Sequence, residues 1–276
     1  MIHIVTDSTA QLTPAEIKEN NITVVPLQVI LDGKTYRDNI DMTRQEFSEH
    51  LATDDEFPKT SQPSIGQFVE TYKALAKPGD SIVSVHIGSV LSGTAQAAQM
   101  AAQQVDVPVE VLDSGLTDRG LAFVVLQAAK LAKTMGDAKA IVGKLTDYMK
   151  KITLTCFVNS LDYFAKGGRA KRAIGFVSSI LKLKLELTMP NGKLEVTHKA
   201  RGEKGMQKLL KNVVDTIVAD THVTQVGLSY VDSHTDTDAI EKTLKEKRPD
   251  IHVLNRLTSP VIMTHVGPTG LAVIYV

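Results

Sequence analysis

Hydrophobic positions in the first half of the chain alternate between short apolar runs and helical spacings. IHIVTD at the start, SIVSVHI from residue 81 and VPVEVLD from residue 107 are rich in β-branched residues, which is typical of buried strands. Between the last two runs, GTAQAAQMAAQQ has the composition and length of a helix. Strand, helix and strand in this order predict parallel pairing and an open α/β sheet.

Helix starts and turns can also be predicted from local residue patterns. NITVVPLQVIL (residues 21–31) is expected to be extended, and DGKTY (residues 32–36) is expected to be a turn. The helices are predicted to begin at three capping boxes, which pair Thr13 with Glu16, Thr43 with Glu46 and Ser64 with Gln67.

The pattern changes from about residue 152. In LKLKLELTM every second residue from Leu181 to Leu187 is leucine, which predicts a half-buried antiparallel strand. Pro190-Asn191-Gly192 then predicts a hairpin turn into KLEVTHKA. We therefore expect an α/β domain over residues 1–155 with a mainly parallel open sheet, and an α+β domain over residues 156–276 with a mixed or antiparallel sheet. The ligand site is expected between the two.

Composition narrows the class of protein. The 276 residues carry 31 basic and 31 acidic side chains, so no net charge attracts nucleic acid or an anionic membrane surface. A single cysteine, Cys156, provides no disulfide framework and favours a cytoplasmic location. We expect no stable membrane insertion, because no run reaches the roughly 18 apolar residues of a membrane span.

Hydroxyl side chains follow three predicted strands, where an open α/β sheet gathers its ligands. They lie in Asp7-Ser8-Thr9, in residues 89–94 and in Asp113-Ser114. In LSGTAQAA, Ser92 is predicted to cap a helix and leave its proton for a ligand, while Gly93 allows close backbone approach. The alternative is that Ser92 serves only as a helix cap.

Two further segments are candidates for binding. In FPKTSQPS, Thr60 and Ser61 lie between two prolines and ahead of a helix N-terminus, a position that favours an anion. An ordinary capped turn is the alternative. His265 directly precedes a Val-Gly-Pro turn, and we expect that turn to hold it at the end of a strand. A purely structural histidine is the alternative.

KGGRAKR, residues 166–172, combines two glycines with four cationic side chains. It is either a solvated surface loop or a docking patch for an anionic partner, in which Arg201 could take part. The motifs GxGxxG, GxxxxGK[ST], HExxH, GxSxG and CxxC are absent, so nucleotide, zinc and α/β-hydrolase functions lack their usual signatures.

Together these segments resemble the DegV family, fatty-acid-binding proteins that serve as the lipid-carrying subunit of bacterial fatty acid kinase. The resemblance spans the whole chain. It rests on IVTDSTAQL, VVPLQVILDGKTYRDNID, KTSQPS, VLSGTAQAA, LDSG, LDYFAKGGR and THVGP, in the order and spacing of the family.

The resemblance implies a two-domain α/β protein that holds a fatty acid between its domains and needs no other cofactor. It implies that Thr60, Ser92 and His265 bind the carboxylate. It also implies a separate ATP-dependent fatty acid kinase as partner, for which we expect Arg169 and Arg201 to form the docking patch. Arg169 is expected to lie outside the lipid tunnel. Further candidate ligand-binding residues are Ser8, Ser61, Gly93 and Thr94.

The chain departs from the family pattern at three places. Thr269 follows Gly267-Pro268 where the family usually has glycine, Ala95 stands where tyrosine is common, and Ala170 replaces a larger aliphatic residue after KGGR. We expect a reshaped pocket and altered docking detail. Two other functions remain open from the sequence: a hydrolase or acyltransferase that uses Ser92 with His265 as base, and a protein-interaction module without ligand.

Overall fold

The computed structural model describes residues 1–53, 57–170 and 183–276. Its strands form a four-stranded, a three-stranded and a six-stranded sheet. The strands are β1 (Ile2–Asp7), β2 (Ile22–Val25), β3 (Gln28–Leu31), β4 (Lys34–Arg37), β5 (Lys59–Ser61), β6 (Ser81–His86), β7 (Val109–Asp113), β8 (Thr153–Val158), β9 (Lys184–Thr188), β10 (Glu195–Ala200), β11 (Gln225–Tyr230), β12 (His252–Leu257) and β13 (Leu271–Tyr275).

The helices lie between and around these sheets. The capping boxes predicted at Thr13, Thr43 and Ser64 are confirmed. Within the described ranges, none of the helices has the length and apolar character needed to cross a bilayer. The helices are α1 (Pro14–Glu19), α2 (Arg44–Thr53), α3 (Ile65–Leu75), α4 (Thr94–Ala102), α5 (Asp118–Ala132), α6 (Ala138–Met149), α7 (Asp162–Lys166), α8 (Gly202–Ala219), α9 (Thr235–Lys247) and α10 (Pro260–Val266).

The sheet topology confirms the predicted fold class. β2, β1, β6 and β7 are neighbours in that order, and all three pairings are parallel. The six-stranded sheet has the order β10-β9-β8-β13-β11-β12 and is mixed, because only its β11–β12 pairing is parallel. The small third sheet, β4-β3-β5, is antiparallel and carries Thr60 on β5.

The segment NITVVPLQVIL is extended, as predicted, and is divided into two strands. β2 ends at Val25 and β3 starts at Gln28 in a different sheet; Pro26, between them, has no N–H to continue a ladder. The predicted DGKTY turn is also shorter than expected. Only Asp32 and Gly33 adopt positive φ angles, and the next residues pair with β3 as β4.

Within LKLKLELTM, Lys184–Thr188 form the predicted antiparallel strand, but the strand is more deeply buried than its alternation suggests. β9 lies between β8 and β10, and Leu185 and Leu187 are fully buried. Glu186 between them is also buried. Its carboxylate makes hydrogen bonds with Thr197 Oγ1 (2.8 Å) and His198 Nδ1 (2.9 Å), which offset the cost of burying it. Leu181 lies outside the described residues. The hairpin turn at Pro190–Gly192 is confirmed.

One hydrophobic cluster connects the two halves. Helix α5 packs against β1 and β6 on one side and against β11 and β13 on the other. The largest buried cluster accordingly includes Val83 and Val85 of the parallel sheet with Leu185 and Ile274 of the mixed sheet. The predicted domain boundary at residue 155 lies inside β8 (Thr153–Val158) and stays a prediction.

A chain of buried polar groups connects the carboxyl ends of β1 and β6. Tyr72 Oη contacts Ser84 Oγ at 2.8 Å, and that oxygen contacts His86 Nε2 at 2.7 Å. His86 Nδ1 lies 3.0 Å from Asp7 Oδ2, which also accepts the Ile87 N–H at 2.9 Å. This chain fixes the start of the loop that follows β6.

We predict that His86→Leu lowers the free energy of unfolding by about 3 kcal/mol, because it leaves the buried Asp7 carboxylate short of a partner. Tyr72→Phe should cost only about 1 kcal/mol, since it removes one terminal hydroxyl. Urea unfolding of both variants measures the difference. Equal destabilisation by the two changes would contradict this ranking.

Candidate functional site

A cavity with about 860 Å³ of empty space, part of it open to solvent, lies where the small sheet meets the mixed sheet and the loop after β6. Most of its wall is apolar, and polar side chains are concentrated in two groups. The apolar lining includes Leu27, Ile87, Leu91, Leu154, Cys156, Phe164, Met189, Leu194, Val231, Val261, Ile262, Val266, Leu271, Ala272 and Ile274.

The first polar group is built around a hydrogen bond between Thr60 Oγ1 and His265 Nε2, at 2.8 Å. Thr60 is held by β5, where it pairs with Val29 of β3. His265 is not at the end of a strand, as the sequence analysis expected; it lies in the last turn of α10. Ser259 caps this helix and Pro260 occupies its first position, so local signals for a helix were present.

Two glycines shape the surroundings of His265, one by direct contact and one by ending its helix. A Cβ on Gly167 would lie 2.2 Å from His265 Nδ1, so only glycine allows this approach. Gly267 ends α10 with a φ of 79° and packs on the Tyr163 ring, where a Cβ would come within 2.4 Å. The first glycine of KGGR therefore shapes the site by packing against the histidine.

The His265 ring is neutral in this setting. Burial lowers its pKa from about 6.5 to about 3, and the positive charge of Arg169 adds to the effect. Nδ1 is buried without a hydrogen-bond partner among the described residues. Nε2 and the Thr60 hydroxyl share one hydrogen bond in which either atom can donate.

Ser92 reaches the same region from the loop after β6. Its Oγ lies 2.8 Å from Thr94 Oγ1, and it lines the cavity, whereas Thr94 is fully buried behind it. The prediction that Ser92 caps α4 is wrong, because Gly93 occupies the N-cap position without a side-chain cap. Gly93 lines no part of the cavity; a Cβ there would lie 2.3 Å from Gln62 Oε1, so glycine lets the two loops touch.

Arg169 also lines the cavity, whereas the sequence analysis expected it to lie outside the lipid tunnel. Its Nε donates to the Leu91 carbonyl at 3.1 Å and its Nη1 donates to the Gly167 carbonyl at 2.7 Å. The guanidinium thus connects the loop that carries Ser92 with the glycine beside His265. Thr60 and His265 are in direct contact, and Arg169 connects them to the loop of Ser92 through the backbone of Gly167 and Leu91. All four residues line the cavity, and we call them the head cluster.

The remaining predicted residues have other positions. Ser61 lines the cavity next to Thr60. Ser8 does not; its hydroxyl donates to Asp38 Oδ2 at 2.6 Å and accepts the Leu27 N–H at 3.0 Å, so it ties two loops together. Arg201 is exposed immediately before α8 and is not part of the wall. Lys171 and Arg172 lie outside the described residues.

The second polar group was missed in the sequence. Asp118, at the first position of α5 with a φ of 54°, accepts hydrogen bonds from Ser229 Oγ (2.5 Å) and Thr258 Oγ1. All three side chains line the cavity and are almost fully buried. The two hydroxyls come from β11 and from the residue after β12, and each is more than 100 positions from Asp118 in the sequence. No local sequence pattern indicates a contact over such a distance.

The geometry suits binding better than acyl transfer. Ser92 and His265 make no hydrogen bond with each other, since each has another partner. Within the described ranges, no carboxylate is hydrogen-bonded to Nδ1 of His265 to orient its ring. A serine nucleophile needs both arrangements.

Comparison with known proteins identifies the family. A family model described as an uncharacterised protein of the DegV family matches residues 1–276, so this chain belongs to the DegV family. A DegV domain-containing protein of Staphylococcus aureus (strain COL) is 34% identical over 274 residues, covering 98% of this chain and 97% of that protein. The predicted resemblance is confirmed.

Solved structures agree with this assignment. DegV from Bacillus subtilis, described as a fatty acid binding protein, matches with a TM-score of 0.91 at 29% identity, over 99% of this chain and 98% of that one. A DegV family protein from Thermus thermophilus, described by its fatty acid binding, matches with a TM-score of 0.87 at 28% identity, over 99% and 98% of the two chains.

We predict that His265 makes the free energy of unfolding fall as the pH drops from about 6.5 to about 3. In this window the unfolded chain protonates the ring and the folded chain does not, so lower pH favours unfolding. His265→Gln should remove this contribution. Urea unfolding of both proteins across the window measures it, with His222→Gln, a change at an exposed histidine, as control. Parallel pH profiles for wild type and His265→Gln would contradict the prediction.

Proposed function

We propose that this protein binds one long-chain fatty acid, with the carboxylate at the head cluster and the chain in the apolar part of the cavity. The observation that carries the proposal is the combination of hydroxyl donors, a neutral histidine and an arginine at one place in a mainly apolar wall. The fatty acid binding of the Bacillus subtilis and Thermus thermophilus proteins supports it.

An apolar chain supplies most of the binding free energy in this proposal. Each buried methylene is worth about 0.8 kcal/mol, so a long chain binds tightly even when the carboxylate only balances its own desolvation. The carboxylate requires hydrogen bonds at the head cluster. If Nε2 of His265 donates to Thr60, the Thr60 hydroxyl keeps its own hydrogen for the ligand, and Ser92 can donate in the same way.

Charge fixes the orientation of the ligand. Arg169 brings a positive charge to the head cluster, whereas Asp118 brings a carboxylate to the second polar group. A fatty acid carboxylate is attracted by the first and repelled by the second. The ligand should therefore bind in one orientation, with its carboxylate at the head cluster.

In the second part of the proposal, the bound carboxylate is presented to a separate ATP-dependent kinase in the cytoplasm, which transfers a phosphoryl group to it and forms an acyl phosphate. The chain has no GxxxxGK[ST] loop of its own to hold ATP phosphates. Arg201 is exposed and is our candidate contact for the kinase. A serine hydrolase is not favoured, because Ser92 and His265 are not paired.

We predict that Thr60→Val weakens fatty acid binding by about 1.5 to 3 kcal/mol, because it removes a hydrogen-bond donor to a charged group while keeping the side-chain shape. Ser92→Ala should act in the same direction and by a similar amount. Isothermal titration of delipidated protein with oleate gives the affinities.

Thr60→Ser is the matched control, because it keeps the hydroxyl and should retain most of the affinity. Thermal unfolding of each variant without ligand separates loss of binding from loss of fold. Wild-type affinity in both Thr60→Val and Ser92→Ala would place the carboxylate elsewhere.

We further predict that Arg201→Ala lowers the rate of acyl phosphate formation with the cognate kinase and leaves oleate affinity unchanged, because Arg201 is outside the cavity wall. The rate should also fall with added salt. Lys208→Ala removes the same charge at another exposed position of α8 and should keep the wild-type rate. Arg169→Ala should weaken lipid binding itself. An unchanged rate in Arg201→Ala would remove it from the interface.

A further inference from the structure

A second, more polar cleft adjoins the cavity. Leu154 and Met189 belong to the lining of both spaces. Both side chains are buried, so together they form a thin partition between the two. Beyond it the wall of the cleft is mixed: polar side chains such as Ser89, Asp113 and Lys150 alternate with apolar ones such as Leu116, Met149 and Ile152.

Strand pairing brings the two partition residues near each other. β8 and β9 pair antiparallel, and their last pair is Thr155 with Thr188. Leu154 and Met189 are the residues directly beyond this pair. Alternation along β8 puts Leu154 and Cys156 on one face, and both line the cavity. The partition therefore lies where the apolar wall meets the cleft, at the start of β8 and the end of β9.

The backbone that follows Met189 is packed against the other half of the molecule, whereas the Met189 side chain has several rotatable bonds. The turn that follows it, Pro190–Gly192, touches the other half of the molecule at Gly115, where an added Cβ would lie 2.9 Å from the Gly192 Cα. Gly115 and Gly192 both have positive φ angles, which favours glycine at these positions. Methionine is unbranched with three rotatable side-chain bonds, so the side chain can change shape where the backbone cannot.

We propose that Met189, backed by Leu154, ends the acyl-chain channel and sets the longest chain that this protein binds well. Up to the partition, each further buried methylene raises affinity about fourfold. Past it, a methyl terminus must enter a cleft whose wall mixes polar with apolar groups, so each further methylene gains less. This inference rests on the proposed fatty acid function, which it refines by naming a residue that determines chain length.

The test uses delipidated full-length protein and an equimolar mixture of saturated fatty acids of increasing chain length, with bound species read by native mass spectrometry. Met189→Ala removes three heavy atoms from the partition and should move the preferred length up by about two carbons. Met189→Phe should move it down. Met189→Leu keeps a similar volume and should retain the wild-type preference.

Leu194→Ala is the control for general loosening, because Leu194 lines the cavity but not the cleft. It should weaken binding of all chains without moving the preferred length. If wild type binds a set of fatty acids and both Met189→Ala and Met189→Phe keep its preference, Met189 does not end the channel. If wild type binds none of the mixture, the proposed function fails with it.

Discussion

The hydrogen bond between Thr60 and His265 is the contact on which the site depends. It joins a short strand of the first half to a helix near the C-terminus, across 205 positions of sequence. Each partner is positioned by a different contact. Thr60 pairs with Val29 in the small sheet, and the His265 ring packs against Gly167. Because each partner has its own packing contacts, the fold itself positions the hydroxyl and the ring, and such preorganisation lowers the ordering cost of the proposed binding.

Burial decides which chemistry this contact can perform. A histidine with a pKa near 3 is uncharged at neutral pH. One of its ring nitrogens can then donate a hydrogen bond, and the other can accept one. The positive charge at the site comes from Arg169, which is fastened to two backbone carbonyls. A neutral ring, two hydroxyls and the Arg169 cation suit the proposed recognition of a carboxylate. Among the described residues, the hydrogen bond given for the Ser92 hydroxyl is to Thr94 and not to a base.

Local patterns in the sequence were sufficient for most of the fold. Period-two and apolar runs identified the strands, and capping boxes located three helix starts, because these signals depend on neighbours within a few residues. The site was predicted less completely. Thr60, Ser92 and His265 do line one cavity, but Ser8 serves a loop contact instead. Asp118 was missed because its partners come from distant strands.

The most direct measurement of the central claim is native mass spectrometry of the protein as purified under gentle conditions. The account predicts one adduct per chain with the mass of a long-chain fatty acid, and its disappearance on delipidation and return on addition of oleate. Apoprotein alone in every preparation, with neither the mass nor the melting temperature changed by added oleate or palmitate, would contradict it.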